Sequence, residues 1–304
     1  MTCEGLLAWY SMRANASSLT TSLRASKTFC RIASRSSRPD VDLRRRGVAS
    51  GTVTSIRLHR EWHGDEDSPY PPLLLIHGGG STIPSNWGML IPLLERSRSL
   101  LAVELQGHGR TPAGDREPSF EGSADDVAAV LDELHLAPVD VLGFSNGGQV
   151  ALQLAARHPE RVRRLVLAST PVRREAMVDG FWDGLEAGRF EDLPAVYAEA
   201  DLAVSHDPEH ARRMFELDRR LMLGFADFPD ELIASVAAPT LVVGADRDVI
   251  RPGHFVELAA LLPDARLLIV PGVHGDYLGE VLAASGDDRA LRSFLPYLLA
   301  FLED

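Results

Sequence analysis

The stretch from Val139 to Gly148, Val-Asp-Val-Leu-Gly-Phe-Ser-Asn-Gly-Gly, constrains the chain more than any other. A short apolar run ends among glycines, and Val150, Ala151, Leu154 and Ala155 then recur at helical spacing until His158-Pro159 stops them. A strand, a sharp turn and a helix therefore meet at Ser145. Gly143-Phe-Ser145-Asn-Gly147 fits the pattern Gly-x-Ser-x-Gly, in which a strained turn holds a serine at the head of a helix. A side chain in place of either glycine would collide with the neighbouring strand or helix. The helix dipole and its free N–H groups favour the negative charge that acyl transfer develops. The same five residues also suit a plain strand-to-helix connector, so the reading turns on partners elsewhere in the chain.

The flanking sequence supplies the frame. Val48 to Trp62 reads as two strands of a hairpin, and Pro72-Leu-Leu-Leu-Ile76 as a buried parallel strand running into His77-Gly-Gly-Gly-Ser81. No Gly-Lys-Ser/Thr follows that glycine cluster, which removes a phosphate loop. Its N–H groups suit an oxyanion hole, formed by Gly79 with Asn146, and Gly80 is the alternative donor. Strand-like Ser99 to Leu105, Val139 to Phe144 and Val162 to Ala168 alternate with an amphipathic helix over Ser123 to Leu136 and the helix after Ser145. This rhythm predicts an α/β fold, a mostly parallel central sheet with helices on both faces. It breaks between Pro171 and Ala237, where three helix-like stretches (about Arg173 to Gly188, Phe190 to Val204, Pro208 to Phe225) follow one another as a lid over the strand ends. The sheet resumes with Pro239 to Gly244 and Ala265 to Val270, and Arg289 to Leu302 closes the chain as an apolar helix.

Both resumed strands end in residues that a serine nucleophile needs. Serine is a poor nucleophile until an imidazole takes its proton, and the imidazole needs a carboxylate to fix its tautomer. Gly244-Ala-Asp-Arg-Asp248 follows one strand and Pro271-Gly-Val-His274 the next. The candidate catalytic residues are thus Ser145, Asp248 and His274, in that chain order. Asp246 competes for the acid role, but Asp248 lies farther past the strand end, with Pro252 opening a helix behind it.

Charge and cysteine usage narrow the partners. Residues 1 to 46 carry nine basic and three acidic residues, whereas the remaining 258 carry 22 basic and 40 acidic. An acidic body of this kind repels nucleic acid and anionic membrane and points to a small neutral substrate. The first 46 residues, rich in Ser and Arg and weak in apolar periodicity, are expected to be a disordered extension ahead of one domain over 47 to 304. Cys3 and Cys30 both fall there, so no thiolate metal site is expected in the body, and no metal or cofactor is implied. No signal h-region and no run of about 18 apolar residues is present, which gives the expectation of a cytoplasmic protein. A single lysine, Lys27, amid abundant Ala, Arg and Gly suggests a high-GC bacterial source. The sequence specifies no oligomeric state.

From about residue 47 to 304 the chain resembles the α/β-hydrolase superfamily in His77-Gly, Gln106-Gly-His-Gly109, the Ser145 turn, Asp248 with Pro252, and Pro271-Gly-Val-His274. Among its members it is similar to the lidded esterases, enol-lactone hydrolases and cofactor-free haloperoxidases. Glu104 and Gln106 stand where relatives often carry Asp and Arg, and Ser145 stands where haloalkane dehalogenases and epoxide hydrolases carry Asp, against those activities. The resemblance favours Asp248 as the acid. It implies hydrolysis of small to medium apolar carboxylic esters or lactones through an acyl-enzyme, with C–C or peptide cleavage by the same triad, or a non-turnover ligand receptor, as alternatives. Seven of 20 aromatics and three of six methionines lie in residues 171 to 237, and Phe181 and Trp182 are the candidate substrate contacts of that apolar lid.

Overall fold

The structure, a computed structural model, describes residues 56–65, 68–281 and 288–304. The basic extension over residues 1 to 46, with both cysteines, lies outside the described residues. Seven strands form one sheet: β1 (His59–His63), β2 (Leu73–Ile76), β3 (Leu100–Glu104), β4 (Val139–Phe144), β5 (Val162–Ala168), β6 (Thr240–Arg247) and β7 (Ala265–Val273), in the order β1-β3-β2-β4-β5-β6-β7. β1 is antiparallel to β3, and every other pairing is parallel. The hairpin expected over Val48 to Trp62 is corrected in part. Its second strand forms as β1 but pairs with β3, and the residues of the first strand up to 55 lie outside those described.

Strand periodicity decides which helices cover which face. Leu74, Ile76, Leu101, Val103 and Val141 point to one core, shared with α3 (Phe120–Glu133), α4 (Asn146–Arg157) and α9 (Pro252–Leu261). Leu73, Leu75, Leu100, Ala102 and Leu142 point to the other, shared with α1 (Ile83–Trp87), α2 (Ile91–Leu94) and α10 (Arg289–Glu303). β2 reads as an unbroken apolar run because both its faces are covered. The short helices α1 and α2 escape periodicity, having only five and four residues and a proline in each first turn.

The connection from β5 to β6 is long and helical. It holds α5 (Phe181–Ala187), α6 (Ala195–Ser205), α7 (His210–Leu223) and α8 (Asp230–Ala234), with single 3₁₀ turns over Arg174–Ala176 and Phe190–Asp192. The first helix-like stretch is therefore shorter than the sequence suggests. Gly180, at φ 82°, precedes Phe181 and starts the helix there. Tyr197, Ala211, Met214 and Phe215 form a small apolar core of the insertion's own. Phe225 and Phe228 instead pack edge-on against Phe120 in the core of the body. At its neck the two ends meet: Phe228 N–H donates to Val172 O at 3.0 Å, and the Arg173 guanidinium donates to Phe228 O at 2.7 Å.

Candidate active site

The parallel register lines up the C-terminal ends of β2, β4, β5, β6 and β7, and each delivers one piece of the site. After β4 the chain turns into α4 within one residue. Ser145 takes φ 53° and ψ −119°, a region that costs a non-glycine residue on the order of 1–3 kcal/mol. The turn leaves no room beside it: a Cβ on Gly143 would lie 2.3 Å from Gly147 O, and one on Gly147 would lie 2.2 Å from Ile76 O. Ser145 N–H is tied to Ala168 O at 2.9 Å, and Ser145 O accepts from Gly148 N–H at 2.9 Å and Gln149 N–H at 3.2 Å. Backbone bonds thus hold the strained residue from both sides and leave its hydroxyl outward.

That hydroxyl lies 3.1 Å from His274 Nε2, and His274 Nδ1 lies 2.7 Å from Asp248 Oδ1. The carboxylate fixes the tautomer, with the proton on Nδ1 and the Nε2 lone pair facing the serine. Asp248 is buried and well supplied with donors, namely Ser169 Oγ at 2.5 Å and Ala245 N–H at 3.4 Å on Oδ2, and Ile250 N–H at 3.2 Å on Oδ1. Burial pushes its carboxyl upward, but the His274 ring and these donors outweigh burial and hold it below the ordinary carboxylate range. Asp246 is exposed and accepts from Gly272 N–H at 2.8 Å, pinning the turn before His274. Of the two competing aspartates, then, Asp248 alone reaches the imidazole.

Ser169 had no signal in the sequence. It sits just past β5 at φ 46°, buried, with its hydroxyl between Asp248 and the Tyr277 hydroxyl at 2.9 Å. Because Ser169 donates to Asp248, Tyr277 donates to Ser169. Burial and then the Asp248 charge raise the Tyr277 pKa well above its ordinary value, so it remains a donor. A lone serine after a buried strand carries no periodicity, and only the fold places it against the acid.

Across from the imidazole lies the His77–Ser81 loop. Gly78 N–H donates to Asn86 Oδ1 at 2.8 Å and Gly80 N–H to Asp218 Oδ2 at 2.5 Å, whereas Gly79 N–H and Asn146 N–H meet no protein acceptor among the described residues. The loop is anchored by His77, whose Nε2 accepts Leu105 N–H at 2.9 Å and whose Nδ1 donates to Gly78 O at 2.8 Å. Burial, with the nearby His108, lowers its pKa to about 3, so the ring is neutral. Glu104, buried at the end of β3, accepts Arg110 N–H at 2.7 Å and Ile83 N–H at 3.3 Å and so bridges the loop after β3 to α1. The Gln106 amide donates to Arg116 O at 2.6 Å, and its oxygen accepts from the Arg116 guanidinium at 3.2 Å. Both unusual residues are structural links.

A cavity of about 10 Å³, the room of one water, opens beside this loop, lined among others by Gly79, Asn146, His108, Phe120, Leu217 and Asp218. A wider cleft of about 510 Å³ lies outside it and shares Pro118, Phe120 and Leu221 with it. Phe181 and Trp182, expected as substrate contacts, line neither space. Trp182 stacks on Phe225 at 6.4 Å under the Arg174 guanidinium, and its indole N–H donates to Arg174 O, so the half-buried pair fastens α5 to the body.

A family model described as the alpha/beta hydrolase fold matches residues 71–223. A 2-hydroxymuconate semialdehyde hydrolase from Pseudomonas sp. (strain CF600) is 33% identical over 206 residues, covering 66% of this chain; the chain spans 62% of that relative's length, less than two thirds. A pimeloyl-[acyl-carrier protein] methyl ester esterase from Neisseria meningitidis serogroup C is 32% identical over 234 residues, 69% of this chain and 88% of that protein. The solved enol-lactonase from Burkholderia xenovorans LB400 shares the fold with a TM-score of 0.64 at 21% identity, covering 83% of this chain and 99% of its own. Sheet order, strand-end residues and these likenesses agree: the chain belongs to the α/β-hydrolase family.

Proposed function

We propose that the protein hydrolyses carboxylic esters or lactones through an acyl-enzyme on Ser145. The observation that carries this reading is the hydrogen-bonded line from Ser145 Oγ through His274 to Asp248, at 3.1 and 2.7 Å, facing the N–H groups of Gly79 and Asn146. His274 Nε2 takes the hydroxyl proton as Oγ attacks the carbonyl carbon, and Asp248 supports the imidazolium. The carbonyl oxygen gains its negative charge beside the N–H groups of Gly79 and Asn146, the latter at the α4 N-terminus. Collapse expels the alcohol with the proton from His274, and water then repeats the sequence to release the acid. The insertion between β5 and β6 acts as a lid whose α7 excludes water from the loop. The esterase named above supports an ester substrate, and the enol-lactonase, alike in fold, supports a lactone. The 33% identical semialdehyde hydrolase supports C–C cleavage by the same residues as a second reading.

The test is turnover of p-nitrophenyl acetate, butyrate and hexanoate with labelling by a fluorophosphonate probe. Ser145→Ala is expected to abolish labelling and lower turnover at least 10³-fold, since triad members act as a unit, with melting temperature retained. Turnover by the variant comparable to the parent enzyme sinks the mechanism; labelling without ester turnover moves the assignment to C–C cleavage.

A further inference from the structure

The insertion places one ionisable side chain against the His77–Ser81 loop. Asp218, on α7, points its carboxylate between the loop and the body. Oδ2 accepts Gly80 N–H at 2.5 Å and lies 3.0 Å from His108 Nε2. Oδ1 is buried and has no hydrogen-bond partner. An acceptor left bare in this way is destabilising, and a donor entering the site would relieve it.

His108 shows how the other oxygen is held. Its Nδ1 faces Gln106 O at 2.9 Å and its Nε2 faces Asp218, so both nitrogens meet acceptors and the ring carries both protons. Burial opposes that charge, but Asp218 and the Gln106 carbonyl outweigh it and raise the pKa of the ring. The neighbouring His77 ring, 4.8 Å away, is neutral. His108 is therefore committed, and Asp218 Oδ1 is the acceptor left over.

The space that Asp218 lines is small and mixed in character. Room for about one water adjoins Gly79 and Asn146, with Leu105, Phe120, Val150, Leu217 and Leu221 around it and no lysine or arginine in the lining. The Gln106 amide is already bonded to the loop around Ala113 and Arg116. Arg157 and Arg220 face the outer cleft, paired with Asp125 at 2.8 Å and Glu117 at 3.9 Å. A single hydroxyl or amino group, the size of one water, matches this volume and polarity. A carboxylate does not, because it would meet Asp218 with no free cation.

We propose that Asp218 is a specificity-determining residue whose Oδ1 accepts a hydrogen from a hydroxyl or amino group on the acyl part of the substrate, so that the enzyme favours hydroxyacyl over plain acyl esters and rejects carboxyacyl esters. This rests on the ester reading above and names its substrate class. A site built around a buried acceptor discriminates against analogues that leave it bare.

The test compares kcat/KM for p-nitrophenyl butyrate, 2-hydroxybutyrate, 3-hydroxybutyrate and hemisuccinate, each expressed relative to butyrate within one protein, so that changes in overall rate cancel. The better hydroxyacyl ester is expected to exceed butyrate about tenfold, with hemisuccinate about tenfold below it or worse. Asp218→Ala should bring the hydroxyacyl ratio to about one, and the isosteric Asp218→Asn, which keeps α7 in place, should raise the relative rate on hemisuccinate several-fold. Ester turnover with both hydroxyacyl ratios within about twofold of one, or ratios unchanged in both variants, overturns this inference and leaves the ester reading standing. Failure to turn over any of the four, with no probe labelling of Ser145, overturns both.

Discussion

Asp246, near the end of β6, and Asp248, just past it, are two residues apart, yet their chemistry diverges because only one faces inward. Asp248 meets four donors including the imidazole, whereas Asp246 meets the backbone N–H of Gly272. Asp248→Asn is expected to lower kcat about 10⁴-fold through the wrong imidazole tautomer; steady-state kinetics of this variant and of Asp246→Asn, expected within about tenfold of the parent, check the ranking. Ser169 extends the argument. Removing its hydroxyl takes one of the four donors from Asp248 and frees the carboxylate to turn away from the imidazole. Ser169→Ala should therefore reduce kcat with KM little changed, and a parent-like kcat would reduce Ser169 to packing. Ser145, His274 and Asp248 were legible because each follows an apolar run that ends in a glycine-rich turn. Ser169 and Asp218 were not: one is a lone serine, and the other sits on α7 among Glu216, Arg219 and Arg220, where charge reads as a solvated face. Phe181 and Trp182 show the converse, since lid composition suggested a pocket but the Trp182 ring packs on Phe225 and Arg174, and Phe181 packs edge-on against Trp182.

At the scale of elements, β4 is held at both ends by different chemistry. Its C-terminal end runs into the backbone-bonded turn at Ser145. Near its start Asp140 is fully buried between two guanidinium groups, Arg98 at 3.0 Å and Arg163 at 2.7 Å, and Arg163 also donates to Leu302 O at 2.7 Å. Arg98 is itself 1% exposed, so removing the carboxylate strands a buried cation. Asp140→Ala is expected to cost about 3–5 kcal/mol, read as a lower midpoint in urea unfolding, while the folded fraction retains its kcat. Apolar runs located β2 to β7, most plainly at β2, where a strand covered on both faces has little choice of residue. Helices α1 and α2 stayed hidden because, at one turn each, they are set by tertiary packing of Ile83, Trp87, Leu90 and Leu94 rather than by any repeat.

For the whole molecule, buried neutral imidazoles set the acid limit of stability. Burial lowers the pKa of His77 to about 3 and that of His254 to about 4, and in each ring one nitrogen accepts a backbone N–H, from Leu105 and Val172 respectively. Once unfolded, both bind protons near pH 6.5, so between there and about pH 4 the unfolded chain holds more protons than the folded one. Stability is thus present above pH 6.5 and lost on acidification, by about 1.4 kcal/mol per pH unit for each ring. Chemical unfolding at pH 7, 6, 5 and 4 is expected to show that slope, and a flat profile between pH 6 and 5 contradicts it. The neck of the insertion bears on a different property of the molecule. Since Val172 and Phe228 are hydrogen-bonded neighbours, the chain enters and leaves the insertion at one place beside the sheet. Such an insertion can be lengthened, shortened or exchanged for one of another lineage without rethreading a strand. Recombination across that neck gives a ready route by which one set of strand ends acquires a new diet.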